Sequence, residues 1–176
     1  MKLASLIQRF NAIANWLQSP LLLVIRLFWG WQFMIAGWGK LTHLERTSGF
    51  FADLGIPLPS FNAILAGSAE CFGGILLLIG LASRFVSLPL IFTMIVAYVT
   101  SERESLNAIF SDPDKFVTAA PFLFLFASLI ILAFGPGAIS VDKLLSRFGK
   151  KNTQTLSPIA GGWKIKSLTT LHHGRG

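Results

Sequence analysis

The chain is poor in charge, nearly devoid of cysteine, and carries no acid beyond residue 142. Only 13% of its 176 residues are charged and 53% are hydrophobic. A soluble domain carries roughly a quarter charged residues, so the polar cover for a water-facing surface is missing. With a mean hydropathy of +0.64, a bilayer is the solvent this composition suits. The single cysteine, Cys71, excludes an intramolecular disulfide, a CxxC redox pair and a cysteine metal cluster. A glycine-rich nucleotide loop, a nucleophile elbow and an HExxH pair are all absent from the sequence. His43 alone lies near an apolar run, while His172 and His173 lie in the tail. A transmembrane haem held by two histidines is therefore not expected, nor is a metal site. Residues 1–19 mix polar with apolar positions, so no cleavable signal peptide is expected.

What is present is four long apolar runs. They cover about 21–39, 61–82, 85–100 and 116–134, lengths suited to a hydrocarbon core of roughly 30 Å at about 1.5 Å per residue. The fold expected is all-α: an integral membrane four-helix bundle preceded by an amphipathic helix. In that first helix Leu3, Leu6, Ile7, Phe10, Ile13, Ala14 and Leu17 share a face, which predicts a helix lying in the membrane interface. Pro20 suits the start of a new helix. Residues 40–60 read as a loop folding back on the membrane, with Phe50, Phe51 and Leu54 in a short amphipathic turn. A Ser83-Arg84 turn makes the second and third spans an antiparallel hairpin, and Pro89 predicts a kink. Gly135-Pro136-Gly137 stops the fourth span. The chain thus divides into an interfacial helix (1–19), a transmembrane domain (20–145) and a basic, disordered tail (146–176).

Seven basic residues follow Asp142, and the eight before it balance the eight acids. The tail therefore supplies the whole net charge of +7. Beside a membrane span such a run faces anionic lipid rather than nucleic acid. Ten Lys and Arg fall on the side of the termini and four on the other, which predicts cytoplasmic termini.

Two charges lie where a bilayer resists them. Glu70 is central in the second span, where an ionised carboxylate costs about 2–3 kcal/mol or more. Arg26 is some six residues into the first span. A pair between them would account for both, against the plainer readings of a packing hydrogen bond for Glu70 and a snorkelling stem for Arg26. Arg26, Gly30, Phe33 and Gly37 share one helix face, and Gly67, Glu70 and Gly74 share another. Small residues let helices approach closely, so these faces are expected to meet, either as plain packing or around a small polar pocket for a quinone head group or an organic acid. Lys40 and His43 read as interfacial anchors, and Cys71 as a small buried apolar residue.

The ordered set Arg26…Gly30…Phe33…Gly37…Lys40-Leu41, Leu54-Gly55-Ile56-Pro57, Glu70…Gly73-Gly74…Leu77…Gly80…Arg84 and Gly135-Pro136-Gly137-Ala138-Ile139-Ser140-Val141-Asp142 resembles the DoxX family. The resemblance covers about residues 20–145. It implies a small four-helix bacterial inner-membrane protein, similar to a subunit of a thiosulfate:quinone oxidoreductase and linked to oxidative or thiol stress. Arg26, Lys40, Glu70 and Arg84 are the polar positions that match. The resemblance implies an oxidoreductase subunit and a quinone as cofactor. On this reading Glu70 and Arg26 are catalytic, and Arg26, Gly30, Lys40, Glu70 and Gly74 hold the quinone. Two alternatives stand beside it: a membrane scaffold that docks soluble redox enzymes through its tail, and an oligomeric permease in which Arg26 contacts an organic anion.

Overall fold

A computed structural model describes residues 2–146, so the tail expectations lie outside the described residues. The chain divides into a unit Met1–Leu144 and a second, Leu145–Gly176. Only the first is described below.

Among the described residues the helices include, in order, α1 Lys2–Thr42, α2 Leu44–Asp53, α3 Pro59–Ile79, α4 Ser83–Thr100, α5 Arg103–Asn107, α6 Pro113–Thr118 and α7 Ala120–Phe134. Residues 141–144 are also helical. No strand occurs among the described residues. Helices α1, α3 and α4 are each long and apolar enough to cross a membrane. Their outward faces carry Trp31, Ile35, Phe72, Phe85 and Ile95 exposed. Water would penalise that surface and lipid does not. The molecule is an all-α membrane protein.

Three boundaries differ from the sequence expectation. Pro20 does not open a new helix, because α1 runs through it unbroken. Proline costs the helix one hydrogen bond, but its fixed φ is helical, and helices in apolar surroundings tolerate that loss. The segment after α1 is a ten-residue helix, α2, rather than a single turn. It is tied down by Ser48 Oγ donating to Ser60 Oγ at 3.1 Å and Thr47 Oγ1 donating to Lys40 O at 3.3 Å. The fourth run is split at Ala119, whose backbone is extended. Pro113 and Pro121 sit in the first turns of α6 and α7, where a missing N–H leaves no bond unmade. Tyr98 on α4 ties α6 down by donating to Phe116 O at 2.9 Å.

The α3–α4 hairpin is as tight as expected, but its turn is residues 80–82, and Arg84 already belongs to α4. Gly80 is left-handed at φ 72°, and so is Ala82 at φ 49°, a conformation that costs an L-residue roughly 1–2 kcal/mol.

The core joins the four long helices. Phe33, Leu77, Leu90 and Ile131 are fully buried, with Val86 and Met94 beside them. Phe124 of α7 packs edge-on against Phe33 and Trp29 of α1, with centroids 4.7 and 4.9 Å away.

Candidate functional site

The expected meeting of the two glycine faces is observed. A Cβ on Gly74 would stand 2.6 Å from Gly30 O and 2.9 Å from Met34 Cα. One on Gly37 would stand 2.6 Å from Gly67 O, and one on Gly67 3.0 Å from the Leu41 side chain. Backbone therefore lies on backbone along this seam, the approach that small residues permit. Buried Cys71 sits in it. No room remains there for a head group, so Gly30 and Gly74 are packing residues and not the walls of a pocket.

The seam also fixes register. The helices are antiparallel: Gly74 meets Gly30 and Met34, Gly67 meets Gly37 and Leu41, and Gly80 meets Arg26. Glu70 is thus level with the turn around Gly37. Arg26 lies about ten residues further along, roughly 15 Å at the helical rise. Lys40 is one turn away on the other side. The expected Arg26–Glu70 pair is not formed. Instead Lys40 Nζ donates to Glu70 Oε2. The carboxylate is nearly sealed, its side chain 3% exposed, while the lysine is 30% exposed. An acid at that depth requires a partner, and Lys40 supplies it.

This pair forms part of the wall of a cavity of about 540 Å³, within the size range of small-molecule sites. Phe33 and Ala36 of α1 line it with Lys40, Leu65 and Ala69 of α3 with Glu70, Phe92 and Met94 of α4, and Phe124 of α7. Phe50 and Phe51 of α2, with Leu54 and Ile56 after it, complete the lining at the bundle end where α2 lies. Other polar groups in the lining are engaged by backbone: Asn62 Nδ2 gives one N–H to Pro57 O at 2.6 Å, Thr93 Oγ1 donates to Leu90 O at 2.8 Å and Thr100 Oγ1 to Val96 O at 2.8 Å. Glu102, past the end of α4, accepts from Ser105 Oγ at 2.9 Å. The cavity is therefore apolar and aromatic, with one buried charge pair.

Arg26 does a different job. It is 3% exposed, so it does not snorkel. Its Nη1 donates to Pro136 O and its Nη2 to Ile139 O, both at 2.8 Å. Gly80 leaves room for the guanidinium, since a Cβ there would stand 2.8 Å from Arg26 Cζ. Asp142 completes the assembly. Ala82 N donates to Asp142 Oδ1 at 2.7 Å and Ser83 N to Asp142 Oδ2 at 3.1 Å, while Asp142 N donates to Gly80 O at 3.0 Å. A residue from beyond α7 thus caps α4 and supports the left-handed Ala82. Arg84 adds a bond from Nη2 to Ala133 O at 3.1 Å. Arg26, Arg84 and the residues 135–142 are one clamp at the bundle end away from α2, and Arg26 does not line the cavity. From the sequence Lys40 reads as an interfacial anchor and, through the resemblance, as a quinone contact, and neither reading pairs it with Glu70. The signal that would have paired it with Glu70 was the glycine register, once the faces were set antiparallel.

The DoxX family model matches residues 21–103. The chain is 32% identical over 130 residues to the Bacillus subtilis protein named "Putative oxidoreductase CatD", covering 74% of this chain and 90% of that one. It is 31% identical over 140 residues to an uncharacterized membrane protein of Mycobacterium tuberculosis, covering 73% and 83%. It is 29% identical over 128 residues to the inner membrane protein YqjF of Escherichia coli, covering 71% and 92%. No solved structure matches the chain.

Proposed function

The chain belongs to the DoxX family of membrane proteins, and on that footing we propose that it is a quinone-binding membrane subunit of a redox system, with the Lys40–Glu70 cavity as its head-group site. The observation that carries this reading is a buried carboxylate paired with a partly exposed lysine in the wall of an otherwise apolar, aromatic-lined cavity among membrane helices. A quinone needs such surroundings: apolar walls for ring and tail, and a few polar groups at the ring oxygens. The group supplies two-electron, two-proton chemistry when bound. Lys40 would hydrogen-bond a ring oxygen, and Glu70 would exchange a proton there. Phe33, Phe92 and Phe124 would hold the ring and exclude water.

The name of the Bacillus subtilis relative as an oxidoreductase supports a redox role. Electrons would come from a soluble partner, since Cys71 is buried in the α1–α3 seam and does not line the cavity. Names of two Escherichia coli relatives support an inner-membrane location. The Lys and Arg asymmetry supports cytoplasmic termini, which would put the α2 end of the cavity on the opposite face. The permease alternative loses its motive, because both terminal nitrogens of Arg26 are held by backbone carbonyls.

The test is titration of purified protein with a decyl-chain benzoquinone. Wild type binds, and Lys40→Met weakens binding about tenfold or more, the worth of a charge-assisted hydrogen bond. Unchanged affinity in that variant would remove the pair from the site. Absence of binding to wild type would remove the quinone reading itself.

A further inference from the structure

The Lys40–Glu70 pair leaves a specific set of hydrogen-bonding groups unused. Lys40 has three N–H donors and commits one to Glu70 Oε2. Among the described residues no donor is found for Glu70 Oε1. Two donors and one acceptor therefore stand side by side at the wall of the cavity. The neighbouring Thr93 and Thr100 hydroxyls have given their donors to backbone carbonyls, and the Asn62 amide commits one N–H to Pro57 O and bonds no oxygen of Glu70.

A ring oxygen placed at this pair meets both groups at once. A carbonyl oxygen only accepts. It satisfies Lys40, but it sets a second acceptor against Oε1 with water displaced, and a buried acceptor left unpaired is penalised. A hydroxyl both donates and accepts. It can donate to Oε1 and accept from Lys40 in the same position. The acceptor role of Oε1 does not depend on the pair being ionised, since the outer oxygen of a carboxyl still accepts if the proton sits on Oε2.

Building on the quinone reading above, we infer that this site selects the hydroxyl-bearing, reduced form of its ligand: a hydroquinone, or more generally a phenolic ring with an apolar tail. Glu70 is the selecting residue, and Lys40 positions it. The aromatic walls hold either oxidation state alike, so discrimination comes from the pair.

The experiment compares two forms of one probe. Decyl-1,4-benzoquinone and its hydroquinone are titrated anaerobically into detergent-solubilised protein, with binding read by calorimetry. A redox-inert alkyl phenol, 4-nonylphenol, is run as a competitor. The hydroquinone should bind about tenfold or more tighter than the quinone, and the phenol should displace it. In the double variant Lys40→Met/Glu70→Met, which leaves no unpaired charge, the preference should collapse to within about twofold while both forms still bind. Equal or tighter binding of the quinone to wild type overturns the selection and leaves the quinone site standing. A preference that survives in the double variant removes Glu70 as its cause. Failure of all three probes to bind wild type overturns both readings.

Discussion

Removing Lys40 should cost far more than removing Glu70, although the two residues form one pair. The side chain of Glu70 is 3% exposed and that of Lys40 30%. Lys40→Met strands a carboxylate that is too short to leave its site, and breaking a buried pair from that side costs about 3–5 kcal/mol. Glu70→Gln strands an ammonium that is already partly outside. Its four-carbon stem lets the head move toward the headgroups, so the loss should be about 1–2 kcal/mol. The double variant Lys40→Met/Glu70→Gln keeps no buried charge and should be more stable than Lys40→Met alone, by about 2 kcal/mol. That recovery is the coupling between two touching residues. The assay is reversible unfolding of the purified protein in mixed micelles with increasing SDS, read by far-ultraviolet circular dichroism at fixed pH. Two results would refute the reasoning: equal costs for the single changes, or a double variant whose cost is the plain sum of both.

Gly74→Ala places a methyl 2.6 Å from Gly30 O, forcing α1 from α3 at about 1–3 kcal/mol. Gly39→Ala meets nothing within 4 Å and should be neutral or stabilising by up to about 1 kcal/mol; the same micelle assay ranks them, and equal effects would contradict the seam. Asp142→Ala removes both acceptors at the start of α4, with a loss of about 2 kcal/mol. Hydrogen exchange at the Ala82 and Ser83 amides should accelerate, and unchanged protection there would sink the cap. At the α2 end, the hydrogen bond and charge of Lys115 hold the exposed Glu104 carboxyl below its usual range. A depressed carboxyl contributes stability above its unfolded pKa and loses it as pH falls through the folded one, weakly here because solvent and salt screen the pair. Carboxyl NMR of Lys115→Met should show the Glu104 midpoint rising, and an unmoved midpoint would exclude this pairing.

The membrane class and the helix hairpin were legible because they rest on run length and turn residues, which are local. The contact of the Gly30–Gly37 face with the Gly67–Gly74 face was legible too, since helical spacing defines each face and small residues mark where backbones meet. Partner choice was not. Arg26 and Glu70 are opposite in sign and each lies inside an apolar run, but pairing depends on register, and a register is shared by two helices far apart in the chain. Residues 135–142 were read as a stop and a family signature, with no hint that their carbonyls receive Arg26. Backbone acceptors leave no mark on a side-chain sequence. The break at Ala119 was missed because Pro121 lies inside an apolar run that otherwise reads as one span, and α2 was compressed to a turn because Gly49 and the polar residues around it weaken the periodicity.

The clamp at Arg26 also sets an order of events during biosynthesis. The guanidinium is met by carbonyls 110 and 113 positions later in the chain. At about 5–20 residues per second, the ribosome needs roughly 5 to 20 s to make that stretch. For that interval the first membrane helix exists with a cation whose final acceptors have not been made. The nascent protein must therefore keep Arg26 at a wet boundary, in the headgroups or inside the insertion machinery, until the last helix arrives. The apolar length of α1 favours insertion without those acceptors, so docking of residues 136 and 139, rather than insertion of the first helix, is the step that gives this arginine its buried acceptors.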